Sequence, residues 1–282
     1  MKVVLFCGGL GLRMREYSEA VPKPMVPIGP RPILWHLMKY YAHFGHRDFI
    51  LCLGYKADVI KRYFLDYDEC VSNDFVYSQG GKQLELLASD IQDWNITFVD
   101  TGLHANIGQR LRAVRKHLAG ETHFLANYSD GLSDVDLSTM IDTARASGKI
   151  ATFIGVKPNA TFHVVTTDEA GAVTDIRHVA DTRQRINGGF FVLRQEIFDY
   201  LHDGEELVQE PFQRLIAERQ LGIYPYEGFW ACMDTVKEMD QFEHLYSQDR
   251  APWVVWKPRS SADGQDVARR RGPEGRVRVP GA

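Results

Sequence analysis

The chain alternates between short, mostly apolar runs and longer stretches in which apolar side chains recur every three or four positions. KVVLFC at 2–7, DFILCL at 48–53, NITFVD at 95–100, HFLANY at 123–128 and IATFIGV at 150–156 are runs of the first kind. They predict strands buried on both faces, as in a parallel sheet covered by helices. Between them Ile33, Leu37, Tyr41 and Phe44 recur at helical spacing, with Gly45 where a helix stop belongs. Ile60 and Phe64 predict a second helix, Ile107, Leu111, Val114 and Leu118 a third, and residues 137–146 a fourth. Strand alternating with helix is the signature of right-handed βαβ crossovers, so the expected fold is α/β, a Rossmann-like, doubly wound and mostly parallel sheet.

From about residue 160 the texture changes: FHVVTT, AVTDIRHV and GGFFVL are short β-rich runs separated by turn residues, predicting a smaller antiparallel addition. Helices are expected again near 194–202, 209–220 and 235–248. Residues 257–282 are rich in Arg, Gly and Pro with almost no large apolar side chains. Such a segment cannot repay the entropy of ordering itself, so a disordered tail is expected there, with 1–256 as the folded domain.

Composition narrows the partners. A formal charge of −4 leaves no basic footprint for nucleic acid. No run approaches the roughly 18 apolar residues that cross a bilayer. The opening apolar run is too short for a signal-peptide core and leads into glycines, so a cytoplasmic location is expected. Cys7, Cys52, Cys70 and Cys232 are scattered without a C-x-x-C pair, which predicts reduced thiols. His43 and His46 have no third ligand in view and predict no zinc site. The expected partner is a small molecule.

The candidate chemistry begins where the first strand ends. Gly8, Gly9 and Gly11 expose backbone N–H groups at its carboxyl end, the edge where open α/β sheets bind ligands, and Arg13 adds a guanidinium suited to bidentate phosphate contacts. A Rossmann fingerprint would need glycine where Met14 stands, which disfavours an NAD-dependent enzyme, and a Walker loop would need Gly-Lys-Ser/Thr. Lys23 lies between Pro22 and Pro24, which are expected to hold the backbone near extended geometry and deny it helix. Asp130 follows HFLANY, and Asp234 follows the apolar run in FWACMDT; the alternatives are an Asp-Gly turn for the first and a helix N-cap for the second.

G-G-x-G-x-R, then P-K-P-M, then P-I-L-W-H is similar to the opening of the sugar-1-phosphate nucleotidyltransferases, and PILWH looks most like their glucose-1-phosphate cytidylyltransferase branch. GYKADVIKRYF, WNITFVDTG, IGQRLR, YSDG, INGGFFVL, EGFWACMDT and APWVVW resemble that branch in the same order, over about residues 1–256. The resemblance implies transfer of a nucleotidyl group from a nucleoside triphosphate, CTP in first place, to a sugar 1-phosphate, with pyrophosphate leaving and Mg2+ as cofactor. By the same resemblance Asp130 and Asp234 hold the metal. Gly8, Gly9, Gly11 and Arg13 meet the triphosphate, Lys23 a phosphate group, and Gly108 with Arg110 the nucleobase end or its phosphates. Asn187 and Gly188 contact the sugar, and a homo-oligomer is implied. Arg110 retains the alternative of a solvated helix residue, because Arg112 and Arg115 lie close by.

The chain departs from the family pattern at a few positions. Leu12 stands where the family has Thr, Ser129 replaces the first glycine of its G-D-G, and Phe162-His163 replaces Tyr/Phe-Gly. His178-Val179-Ala180 stands where the family has Glu-Lys-Pro, so an anion-binding lysine has become Val179. Ser129, His163 and Val179 thus fall in the expected acceptor region, where added side chains fill space and a lost ammonium weakens phosphate binding. They predict an acceptor other than plain glucose 1-phosphate, such as another hexose phosphate, a cyclitol phosphate or a phosphonate, unless Arg177, Arg183 or Arg185 supplies the missing cation. A nucleotide-binding regulatory protein without turnover is the competing expectation.

Overall fold

The computed structural model describes residues 1–9, 21–158 and 162–257. The expected disordered tail, apart from Lys257, therefore lies outside the described residues, as do Gly11, Leu12 and Arg13.

The predicted apolar runs form the centre of the molecule. Strand β1 (Val3–Phe6) pairs in parallel with β2 (Asp48–Leu53) on one side and with β4 (His123–Tyr128) on the other, and β2 pairs in parallel with β3 (Asn95–Asp100). Successive residues of β1 serve opposite faces: Val3 and Leu5 join one buried cluster, Val4 and Phe6 the other. That is why the run carries no polar alternation. Helices α1 (Ile33–His43) and α2 (Ala57–Leu65) pack on the first face, and α3 (Ile107–Ala113) on the second. Beyond β4 the sheet continues through β10 (Phe191–Arg194) and β6 (Ala151–Val156), with β9 (Ile186–Asn187) and β11 (Leu221–Tyr226) also paired to β6.

The antiparallel addition differs from its expectation in one respect. FHVVTT and AVTDIRHV form a separate hairpin, β7 (His163–Thr167) with β8 (Val173–His178), but GGFFVL supplies β10, which lies inside the central sheet, antiparallel to β4 and β6. Sheet membership is decided by which neighbour has an open edge, which a local pattern does not encode. The β11 run, LGIYPY, carries Gly222 and Pro225 and reads poorly as a strand; its place at the outer side of β6 tolerates both. A hairpin at Phe75–Ser78 and Gln83–Leu86 had no clear signal either.

PILWH and APWVVW are far apart in sequence but meet in space. His36 is fully buried; its Nε2 donates to the Ile28 carbonyl at 2.9 Å, and its Nδ1 accepts from Trp253 Nε1 at 3.4 Å. The indole can only donate, so the ring is neutral with its proton on Nε2. Burial pushes its pKa down to about 4. A histidine depressed on folding stabilises the protein fully above its unfolded pKa, and that contribution is lost as pH falls from about 6.5 to about 4. The loss amounts to about 3 kcal/mol. Urea melts of His36→Gln across this window are expected to be markedly flatter than those of the parent.

Candidate active site

Strand order β3-β2-β1-β4 places β1 where the chain reverses its direction of growth across the sheet. Crevices at the carboxyl ends of strands flanking such a switch point are where open α/β sheets take ligands. Gly8 and Gly9 leave β1 at that edge, and Ser129 and Asp130 leave β4 beside them, Phe6 being directly paired with Tyr128.

Lys23 does not sit in extended backbone. Pro22 is extended (φ −67°, ψ 149°), but Lys23–Met25 forms one 3-10 turn with Pro24 in its first positions, where the missing N–H costs nothing. Pro24 and Met25 are buried and anchor the turn. The Lys23 ammonium then reaches Asp130 Oδ2 at 2.6 Å and Asp234 Oδ1 at 2.5 Å. Burial by itself would lower its pKa, but the two carboxylates outweigh that and hold it above the ordinary lysine value. Residues 107 and 211 positions away from the lysine thus converge on one nitrogen.

Asp234 is not the N-cap of the helix that follows. The N-cap of α4 (Val236–Ser247) is Thr235, which forms a reciprocal capping box with Glu238; the TVKE spacing carries that signal in the sequence. Glu238 also accepts from the Asp234 N–H at 2.6 Å, which leaves the Asp234 carboxylate to face Lys23. Asp234 is set by β12 (Trp230–Cys232), which pairs antiparallel with β5 (Gly131–Ser133), so Asp130 and Asp234 flank adjacent strands, and Met233 N–H donates to the Asp130 carbonyl at 2.8 Å. Cys232, absent from the sequence-derived set, donates its thiol to Asp234 Oδ2 at 3.6 Å. Burial and the neighbouring carboxylates push that thiol up to about 12, so it is neutral and no nucleophile.

Several expected ligands belong to the frame of the site. Arg110 is 3% exposed, which removes the reading as a solvated helix residue. Its guanidinium donates to the carbonyls of Gly8 (3.0 Å), Leu53 (3.1 Å) and Leu103 (3.4 Å) and to Thr101 Oγ1 (2.7 Å), lacing together the ends of β1, β2 and β3. Arg110→Met would leave those buried carbonyls short of a donor, with an expected loss of about 3 kcal/mol in urea unfolding. Gly108 is buried against residues 201–205, and a Cβ there would lie 2.2 Å from the Glu205 carbonyl oxygen. Ser129 turns inward and donates to the Phe6 carbonyl at 2.8 Å. Gly9 is different: it is exposed, and a Cβ on it would meet none of the described residues within 4 Å.

Asn187 and Gly188, the expected sugar contacts, stand at a break between β9 and β10. Gly189 (φ 75°) and Phe190 (φ 49°) are left-handed there, and the Phe190 N–H donates to Asn127 Oδ1. Asn187 donates to the Tyr128 hydroxyl at 3.3 Å and accepts from Gly189, and Gly188 accepts from Trp230 Nε1 at 2.8 Å. His163 pairs with His178 across the hairpin, their rings 5.4 Å apart, and Val179 follows in a short turn. No contact joins His163 or Val179 to the Lys23 cluster among the described residues. Of the three arginines offered as replacements, Arg177 pairs with Asp175 and Arg185 with Glu227 and two carbonyls; Arg183 is exposed and makes no ion pair with any described residue. A cavity of about 280 Å³ lies alongside, lined by Ile186, Trp230, Cys232, Gln241 and Leu245 among others.

Glycine amides and two carboxylates at the switch point of a βαβ sheet define a nucleotide-handling α/β protein. Residues 2–235 match the nucleotidyl transferase family, and the chain belongs to it. It is 38% identical over 259 residues to the glucose-1-phosphate cytidylyltransferase of Salmonella typhi, spanning 91% of this chain and all of that protein. It is 37% identical over 258 residues to a probable glucose-1-phosphate cytidylyltransferase of Bacillus subtilis, again with 91% and 100% covered. Among solved structures, UDP-glucose pyrophosphorylase complexed with UDP-glucose superposes with a TM-score of 0.63 over 88% of this chain and 99% of that one; at 14% identity this speaks for the fold. The expected α/β class and the family resemblance are both upheld.

Proposed function

We propose that this nucleotidyltransferase joins CTP to a sugar 1-phosphate or a sugar-like phosphate, giving a CDP-linked product and pyrophosphate. An acceptor phosphate oxygen attacks the α-phosphorus, the bond from that phosphorus to the bridging oxygen breaks, and pyrophosphate leaves with the electron pair. The nucleophile is already an anion, so the protein need only bring two anions together and neutralise the charge that builds up. The observation that carries this reading is the convergence of Asp130 and Asp234 on a single cation, the Lys23 ammonium, at the carboxyl edge of β1 and β4.

Mg2+ fits this donor set: two hard carboxylates that already share one positive charge, with the remaining positions left to phosphate and water. Asp130 and Asp234 would hold it, and it would supply charge neutralisation at the transferred phosphorus. Gly9, exposed at the carboxyl end of β1, would offer its backbone amide to the triphosphate, and Arg110 holds the Gly8 carbonyl beside it. The test is pyrophosphate release with Mg2+ across the four nucleoside triphosphates and a set of phosphorylated acceptors. CTP is expected to be preferred. CTP binding without pyrophosphate release from any acceptor would make the chain a regulatory homologue.

For the acceptor, the reading is one other than plain glucose 1-phosphate. Its support is Val179 in place of a lysine, the commitment of Arg177 and Arg185 to other partners, and the largely apolar cavity beside Trp230. Val179→Lys is expected to raise kcat/KM for glucose 1-phosphate about tenfold by restoring an ammonium; no gain, or glucose 1-phosphate as the preferred acceptor of the parent, defeats this reading. Self-association is likewise proposed, supported by the exposed Tyr77, Leu84 and Leu87 on and beside the 75–86 hairpin.

A further inference from the structure

The Lys23 ammonium sits between Asp130 and Asp234, the two carboxylates proposed to hold the metal, and it touches both at salt-bridge distance. A phosphate-binding lysine and a metal-binding carboxylate pair are expected to be partners through the substrate; here they are partners directly. We infer that Lys23 is the resident counter-ion of the Asp130–Asp234 pair in the free protein, and that it yields this position only when a triphosphate offers it a stronger anionic partner. This rests on the reading of Asp130 and Asp234 as the metal pair.

Each member of the arrangement has a physical reason to be there. Two carboxylates directed at one point repel each other and need a shared cation, and each is only partly exposed, at 26% and 33% of its side chain. Lys23 supplies that cation from a 3-10 turn whose following residues, Pro24 and Met25, are buried, so only its flexible four-carbon stem moves. Among the described residues, Glu238 turns its Oε2 to the backbone N–H groups of Asp234 and Thr235 and makes no ion pair with Lys23. No third acidic, histidine or cysteine ligand completes a metal cluster among the described residues. A divalent cation arriving alone would have to displace a bound ammonium and gain two carboxylates in exchange. A triphosphate arriving with it accepts the ammonium and adds its own oxygens. By linkage, each of the two must then strengthen the other's binding.

The experiment measures Mn2+ binding to the full-length protein by electron paramagnetic resonance, with no nucleotide present. Wild type is expected to bind weakly, and Lys23→Met to bind about ten- to hundredfold more tightly because an ammonium in contact with both ligands has been removed. Lys23→Arg, which keeps the charge, is expected to stay near wild type. Asp130→Asn together with Asp234→Asn in the Lys23→Met background is expected to abolish the gain. Should Lys23→Met fail to fold, the same titration of wild type with saturating inorganic imidodiphosphate, corrected for Mn2+ bound by that ligand alone, is expected to show tightening by a similar factor. If Lys23→Met binds Mn2+ no more tightly than wild type while binding still depends on the aspartates, the counter-ion inference is wrong and the metal reading stands. Binding that ignores both aspartates sinks the metal reading itself, and this inference with it.

Discussion

Asp130→Asn is expected to reduce kcat/KM for nucleotidyl transfer by about a thousandfold, close to 4 kcal/mol of transition-state stabilisation. The amide keeps the shape of the side chain and its place after β4, so the fold should survive, as read by an unchanged melting curve. What it removes is half of the negative charge that gathers cations at the switch point. The Lys23 ammonium would keep Asp234, at 2.5 Å, and so be drawn to one side. Asp234→Asn should produce a loss of the same order, because the two carboxylates serve one cation in the structure. The double variant should then lose far less than the product of the single losses, since removing either one already disables a shared site. Fully multiplicative losses would mean that the two aspartates act independently, contrary to the geometry.

Gly108→Ala is expected to have the other large effect, on stability instead of chemistry. The added methyl would lie 2.2 Å from the Glu205 carbonyl oxygen and 2.9 Å from a Leu201 methyl. A leucine tip can turn aside; a backbone carbonyl cannot, and the segment there is fixed by Asn106 donating to Gly204 O and Arg214 paired with Glu205. Overpacking of this kind costs about 3 kcal/mol, to be read in urea or thermal unfolding. The fraction that stays folded should keep its KM for the nucleotide within about twofold, because the glycine serves the contact between α3 and the 201–205 segment. A variant of parental stability with a much weakened nucleotide affinity would return Gly108 to the ligand set.

The family resemblance was carried by motifs, and the structure explains why those motifs cohere. PILWH and APWVVW meet at the His36–Trp253 contact, and YSDG and FWACMDT meet as β5 against β12. Neither pairing is visible locally, because the partners lie roughly a hundred residues apart in one case and 217 in the other. The same limit explains Arg110: a basic residue on a helix reads as solvated or as a ligand, and only the strand ends laid side by side reveal the three carbonyls it serves.

What the sequence determined by itself was the set of elements that short-range physics controls. Buried parallel strands need continuous apolar runs, amphipathic helices need a stripe, and a threonine followed three residues later by glutamate closes a helix end; DFILCL, HFLANY and TVKE each carry their structure in their own residues. The tertiary structure decided which strand ends became neighbours, and through that whether GGFFVL entered the central sheet, whether Asp234 was a cap or faced the site, and where Lys23 put its charge. Those outcomes depend on free energies of contacts between distant segments, competing for the same sheet edge or the same ion, and no window along the chain contains both competitors.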